Sequence, residues 1–176
     1  MSKLYVDELE PKTGGNKKIT SSKHISGKVV HCWIHPTSSQ TISNNTATFI
    51  DFHATHKDTH NMADISNNAI VIGDDLGGYY HIRGAVRNSN WSAPRHSIQI
   101  FVNGTIEAYQ EDSNGSAHTG EYPHTAIDTM LYLEAGDVVK LKLYHNFGSS
   151  KPTYALTESN AESHLQSYLW LYRIGD

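Results

Sequence analysis

The sequence predicts an all-β protein, a jelly-roll sandwich of about eight to ten antiparallel strands with a short N-terminal arm. Three observations predict it. Short apolar runs with strand alternation recur along the chain, separated by Gly, Asn, Asp and Pro. No stretch of helical periodicity exceeds two turns, residues 161–166 being the best candidate. Residues 97–144 hold two strand–turn–strand patterns around which the remainder can be arranged.

The first pattern is Ser97-Ile98-Gln99-Ile100-Phe101-Val102-Asn103-Gly104. Ile98, Ile100 and Val102 share one face, and Asn103-Gly104 supplies the two positive-φ positions of a type I′ hairpin turn. In the second, Leu131 and Leu133 point one way and Ala135-Gly136-Asp137 turns the chain. Val139, Leu141 and Leu143 then alternate with Lys140, Lys142 and Tyr144, a half-buried strand with a charged outer face.

Residues 1–28 differ from the rest. Leu4, Tyr5, Val6 and Leu9 are followed by Pro11, Gly14-Gly15 and several serines, a composition too poor to bury much alone. We read them as an attachment arm that docks on another protein, and residues 29–176 as the sandwich. Its further strands are expected at 29–34, ended by Pro36, and at 40–42, 46–52, 70–72 and 78–86. Residues 53–61, 110–125 and 146–163 read as polar loops.

The closing strand Tyr168-Leu169-Trp170-Leu171-Tyr172 is apolar on both faces. Such a strand is covered on both sides. In a two-layer sandwich the core covers one side, and in a small domain a second copy of the chain covers the other. Tyr168, Trp170 and Tyr172 are therefore the expected subunit interface.

Composition narrows the classes. The 176 residues suit one domain with a core. A net charge of −4 without a basic block speaks against nucleic-acid binding. No apolar run approaches the length of a membrane span, and the opening residues lack the apolar core of a secretory signal. Cys32 is the one cysteine, so stability must come from packing and association. Charged residues make up only 18% while Ser, Thr and Asn abound, a balance common in virion and extracellular β-proteins.

Two resemblances add to this. The stretch Leu4-Tyr5-Val6-Asp7-Glu8-Leu9-Glu10-Pro11-Lys12-Thr13-Gly14-Gly15 resembles the N-terminal segment of many tailed-phage fibre and virion proteins. That implies attachment to a particle. Residues 29–176 resemble the jelly-roll superfamily of the complement globular head and tumour necrosis factor. Gly78-Tyr79-Tyr80-His81-Ile82 is similar to its Gly-x-Tyr strand, and 97–104 to its strand ending in Asn-Gly. Leu133-Glu134-Ala135-Gly136-Asp137-Val138-Val139-Lys140-Leu141 is similar to its Ala-Gly-Asp segment, and Tyr168-Leu169-Trp170-Leu171 to its last strand. This resemblance implies a homotrimer with function at loops and outer faces.

The residues offer little catalytic chemistry, and no enzyme activity is expected. Nucleophile, nucleotide and zinc-protease motifs are missing, and Glu107, Glu111, Asp112 and Glu121 have no fixed separation. His53, His56 and His60 could ligate a metal, but a loop gives them no shared face, so neither metal nor cofactor is expected. Trp91, Tyr109 and Tyr122 stand in or beside polar loops, where ring stacking plus hydrogen bonds can grip a sugar. The expected protein is a structural component of a tailed-phage virion, assembled in the host cytoplasm. It would be a trimeric tail fibre or knob touching a host surface or glycan. A capsid decoration (cement) protein and a free carbohydrate-binding module are the alternatives.

Overall fold

The computed structural model describes residues 29–88, 95–112, 124–154 and 166–175. The arm residues Leu4, Tyr5, Val6 and Leu9, and the loop aromatics Trp91 and Tyr122, lie outside these. The strands are β1 (His31–His35), β2 (Thr41–Ile42), β3 (Thr48–Phe49), β4 (Ala54–Asp58), β5 (Ala63–Asp64), β6 (Ala69–Val71) and β7 (Gly78–Arg87). They continue with β8 (His96–Val102), β9 (Thr105–Asp112), β10 (His124–Leu133), β11 (Val138–His145), β12 (Lys151–Pro152) and β13 (Tyr168–Gly175). One 3-10 turn, Ile65–Asn67, interrupts them. Nine of these strands exceed two residues, and the all-β sandwich read from the sequence is the one observed.

Two antiparallel sheets make the sandwich. The five-stranded sheet runs β10-β7-β13-β1-β4; the six-stranded sheet runs β5-β6-β11-β8-β9 with β3 added beside β11. A short ladder of β12 on β2 stands apart. The core lies between the sheets. Cys32, Ile34, Tyr80, Ile82, Val86, Leu133, Leu169 and Leu171 come from one side. Ile70, Ile98, Ile100, Val139, Leu141 and Leu143 come from the other. Each fully buried aliphatic side chain contributes about 1.5–3 kcal/mol of transfer free energy, so this interface is the main source of stability.

The turns do what their residues require. Asn103 and Gly104 have φ of 51° and 86°, the positive pair that a type I′ turn between β8 and β9 demands. The Asn103 side chain also reaches the next turn: its amide donates to Asp137 Oδ1 at 2.7 Å and its carbonyl accepts from the Val138 N–H at 3.0 Å. Asp137 Oδ2 in turn accepts from the Glu134 N–H at 2.7 Å. The Ala135-Gly136-Asp137 turn therefore carries the chain from β10 in one sheet to β11 in the other while tied to a hairpin of the second. The Gly-x-Tyr element has a similar logic. A Cβ on Gly78 would stand 2.4 Å from the Gly175 carbonyl oxygen, so only glycine fits beside the end of β13. Tyr80, fully buried, donates its hydroxyl to the Leu76 carbonyl at 2.6 Å, and burial pushes that phenol up to about 12.

The loop boundaries are corrected in three places. Residues 53–61 were expected as loop, but 54–58 form β4, an edge strand laddered to β1. Its exposed positions Thr55, His56 and Lys57 show no apolar alternation, so the signal is carried by backbone hydrogen bonds alone. Strand β9 runs on to Asp112 and β10 begins at His124, both inside the expected 110–125 loop, and β12 lies inside the 146–163 loop.

Candidate functional site

The outer face of the five-stranded sheet is the most distinctive surface among the described residues. Strand alternation builds it. Because Cys32 and Ile34 of β1 point into the core, His31 and Trp33 point out, while His35 at the end of the strand is buried. Leu169 and Leu171 of β13 are likewise fully buried, which turns Tyr168, Trp170 and Tyr172 outward. The register then aligns these residues across strands. Lys57, Trp33, Trp170, Arg83 and Asp128 form one row from β4 to β10. His31, Tyr172, His81 and Met130 form the next. Tyr79 and Tyr132 are paired one step further along β7 and β10.

The rings pack on each other. Trp170 and Tyr172 stack with centroids 5.5 Å apart, and Trp33 meets Tyr168 edge-on at 5.5 Å. His81 stands edge-on to Trp170 at 5.1 Å and His56 to Trp33 at 4.8 Å. Tyr79 and Tyr132 form a T-shaped pair at 5.1 Å. These contacts bury Tyr168 and leave Trp170 and Tyr172 half-buried within a single subunit. The apolar surface continues beyond them into solvent, where Met130 is 67%, Tyr132 55% and Tyr79 51% exposed. At the centre lies a concavity of about 470 Å³ lined by His31, Trp33, Arg83, Tyr168, Trp170 and Tyr172, with Val29 at its rim. The charges in this row are Asp128, which is bonded to His81, Arg83, exposed beside it, and Lys57, exposed at the β4 end.

The remaining expected site residues fall elsewhere. Tyr109 lies on β9, 47% exposed, on the outer side of the six-stranded sheet. Its hydroxyl donates to Glu111, which also accepts from Arg95 at 2.8 Å; these two bonds hold the Glu111 carboxyl below its usual range. The three histidines are not brought together. His53 accepts from the Thr37 N–H and contacts the Ser38 hydroxyl, His56 packs on Trp33, and His60 is bonded to Thr59. Among the described residues no group of three or more His, Cys, Asp or Glu converges as a metal site.

The sequence reading found the β13 half of the aromatic face and missed the β1 half. The missing signal was present: Cys32-Trp33-Ile34 is apolar on both sides, as the closing strand is. Tyr79, Met130 and Tyr132 were not legible, because each stands in a strand whose outer positions also hold Arg83 or Asp128.

No protein-family model matches the sequence, and no curated protein matches it. Solved structures do match in shape. Murine APRIL superimposes with a TM-score of 0.59 at 12% identity, covering 84% of this chain and all of that one. The globular domain of zebrafish complement 1qA gives 0.56 at 11% identity, over 84% of this chain and 98% of its own. PRD1 vertex protein P5 gives 0.60 at 16% identity, over 85% of this chain and the whole of that one. The fold is the jelly roll of the tumour-necrosis-factor and complement heads. At these identities the likeness concerns the fold, and it agrees with the Gly-x-Tyr and Ala-Gly-Asp segments through which the sequence resembles that superfamily.

Proposed function

We propose that the protein is a homotrimeric structural component of a phage virion, closed across the outer face of its five-stranded sheet. The observation that carries this reading is the continuity of that face, from Trp33 and Trp170 out to exposed Tyr79, Met130 and Tyr132. An outer sheet face meant for water reads polar; one built of aromatic rings is stable in solution only when covered. A closed ring of identical copies covers it without leaving a free patch. The likeness in fold to the complement and tumour-necrosis-factor heads supports three copies, and that to PRD1 vertex protein P5 supports a virion setting. Residues 1–28 serve as the attachment arm, through Leu4, Tyr5, Val6 and Leu9.

Within a virion, the protein acts as a tail fibre or knob that touches a host surface. Tyr109, with Trp91 and Tyr122, supplies rings for a host glycan. Three weak sites on one rigid trimer then gain avidity without new contacts. The likeness to a vertex protein favours a second reading, a capsid decoration protein with the same trimer seated on the shell. Labelling intact particles with an antibody against the chain, followed by electron microscopy, separates them. Label at the tail tip is expected for the first and label spread over the shell for the second. Particles free of label would overturn both.

A further inference from the structure

A closed ring of three cannot be built by pressing one patch against its own copy. That arrangement pairs two subunits about a twofold axis; in a ring every contact joins two different patches, and each subunit offers one and receives one. The outer face of the five-stranded sheet carries two patches of opposite shape. The first is hollow: the concavity of about 470 Å³ over β1 and β13, walled by Trp33, Tyr168, Trp170 and Tyr172. The second is raised: Tyr79, Met130 and Tyr132, each more than half exposed, stand together on β7 and β10. The T-shaped contact of Tyr79 with Tyr132 restricts both rings before any neighbour arrives, which lowers the entropy lost on contact.

Within one subunit the two patches stay apart. Met130, His81 and Tyr172 are in register on β10, β7 and β13, so two strand spacings, about 10 Å, separate the raised patch from the nearest wall of the hollow. Strand β10 is the edge of its sheet among the described residues, while β13 and β1 lie inside it. The edge of one copy therefore carries the raised patch and can reach the hollow in the face of the next. The charges agree with that pairing. The row through Trp33 and Trp170 ends in Lys57 on β4 and in Asp128 on β10. Joining the β10 side of one copy to the β1–β4 side of the next turns these opposite charges toward each other, which favours that orientation.

We infer that Met130 and Tyr132 of each copy enter the aromatic hollow of the next, so that the socket is completed only by a neighbour's side chains. The inference rests on the trimer proposed above and names which parts of the face meet. The core of a stable interface is packed as densely as a protein interior, so a hollow of this size is filled on assembly. Among the described residues, the large apolar side chains that this face leaves more than half exposed are Tyr79, Met130 and Tyr132, apart from Val29 at the rim of the hollow itself. Met130 suits the role, because an unbranched thioether adapts to an irregular site and packs favourably against ring edges. Tyr132 brings a second ring to the cluster of Trp33, Trp170 and Tyr172, where edge-to-face contacts add to simple burial.

Two measurements on the full chain at pH 8.0 test the pairing. The first is sedimentation equilibrium of the double variant Met130→Asp with Tyr132→Asp, with far-UV circular dichroism. Both positions are exposed in the subunit, so the expected result is a single chain that keeps its β signal. A trimer that persists in this variant overturns the inference. The second is cross-linking with a short bismaleimide of co-expressed chains, one carrying Met130→Cys and the other Val29→Cys; the native Cys32 is buried. A mixed covalent dimer is expected, with far less product from either variant expressed alone. Product from Met130→Cys alone that equals the mixed product places like against like and overturns the inference. If the aspartate variant unfolds, the cross-link decides, and absence of a mixed product overturns the inference. A wild-type protein that sediments as a single chain overturns the trimer itself instead, and leaves the hollow to a partner other than this chain.

Discussion

The two outer faces of the sandwich are built on the same backbone plan and filled in opposite ways. On the six-stranded sheet, β11 alternates Leu141 and Leu143 inward with Lys140, Lys142 and Tyr144 outward. The apolar rings on that side, Phe49 and Phe101, are roofed by a cation: Lys142 Nζ lies 4.2 and 4.1 Å from their centroids. On the five-stranded sheet, β13 alternates Leu169 and Leu171 inward with Tyr168, Trp170 and Tyr172 outward, and these rings line an open concavity with Trp33, His31 and Arg83. One face caps its own aromatics with lysine. The other leaves Trp170 and Tyr172 half-buried around a concavity, the face that the proposed trimer would cover. The difference shows that strand alternation reports two environments at once: the inward residues describe the core, and the outward residues describe what lies beyond it.

The largest expected effect comes from breaking the uncapped face. Trp170→Asp puts a carboxylate at the centre of the aromatic cluster, and truncating a central aromatic costs about 2–4 kcal/mol at an interface. Applied once in each of three copies, it should abolish the trimer in light scattering while leaving the circular dichroism spectrum of a folded β-protein. Next is the core beneath both faces. Leu141 is fully buried, and Leu141→Ala should lower unfolding stability by about 2–5 kcal/mol in a denaturant titration.

Smaller effects refine the contrast. Asn103→Ala removes the side-chain bonds to Asp137 and Val138 and places alanine at positive φ. It should cost about 1–3 kcal/mol in thermal unfolding without altering subunit number. Lys142→Ala uncaps Phe49 and Phe101 and should cost less than about 1 kcal/mol, again with no change in assembly. If Lys142→Ala disrupts the oligomer and Trp170→Asp does not, the assignment of the two faces is reversed.

The sequence showed the fold where local chemistry and tertiary role agree. Asn103-Gly104 announces a positive-φ turn, and Ile98, Ile100 and Val102 announce a buried face; both are as read. It was silent on β4, because an edge strand made of Thr55, His56 and Lys57 is held by its ladder to β1 and not by side-chain burial. The site was half legible for the same reason. Tyr168, Trp170 and Tyr172 betray themselves by leaving no polar side to their strand, as Trp33 also does between Cys32 and Ile34. Tyr79, Met130 and Tyr132 join the same surface only through the pairing of β7 with β10, a long-range contact that local pattern does not carry.

The central claim is that copies of this chain cover the aromatic face. The mass of the full-length protein in dilute solution at pH 8.0, by sedimentation equilibrium, tests it most directly. The account predicts three times the 19.6 kDa chain mass, falling to that of one chain in Trp170→Asp. A wild-type protein that sediments as a single 19.6 kDa chain would contradict it.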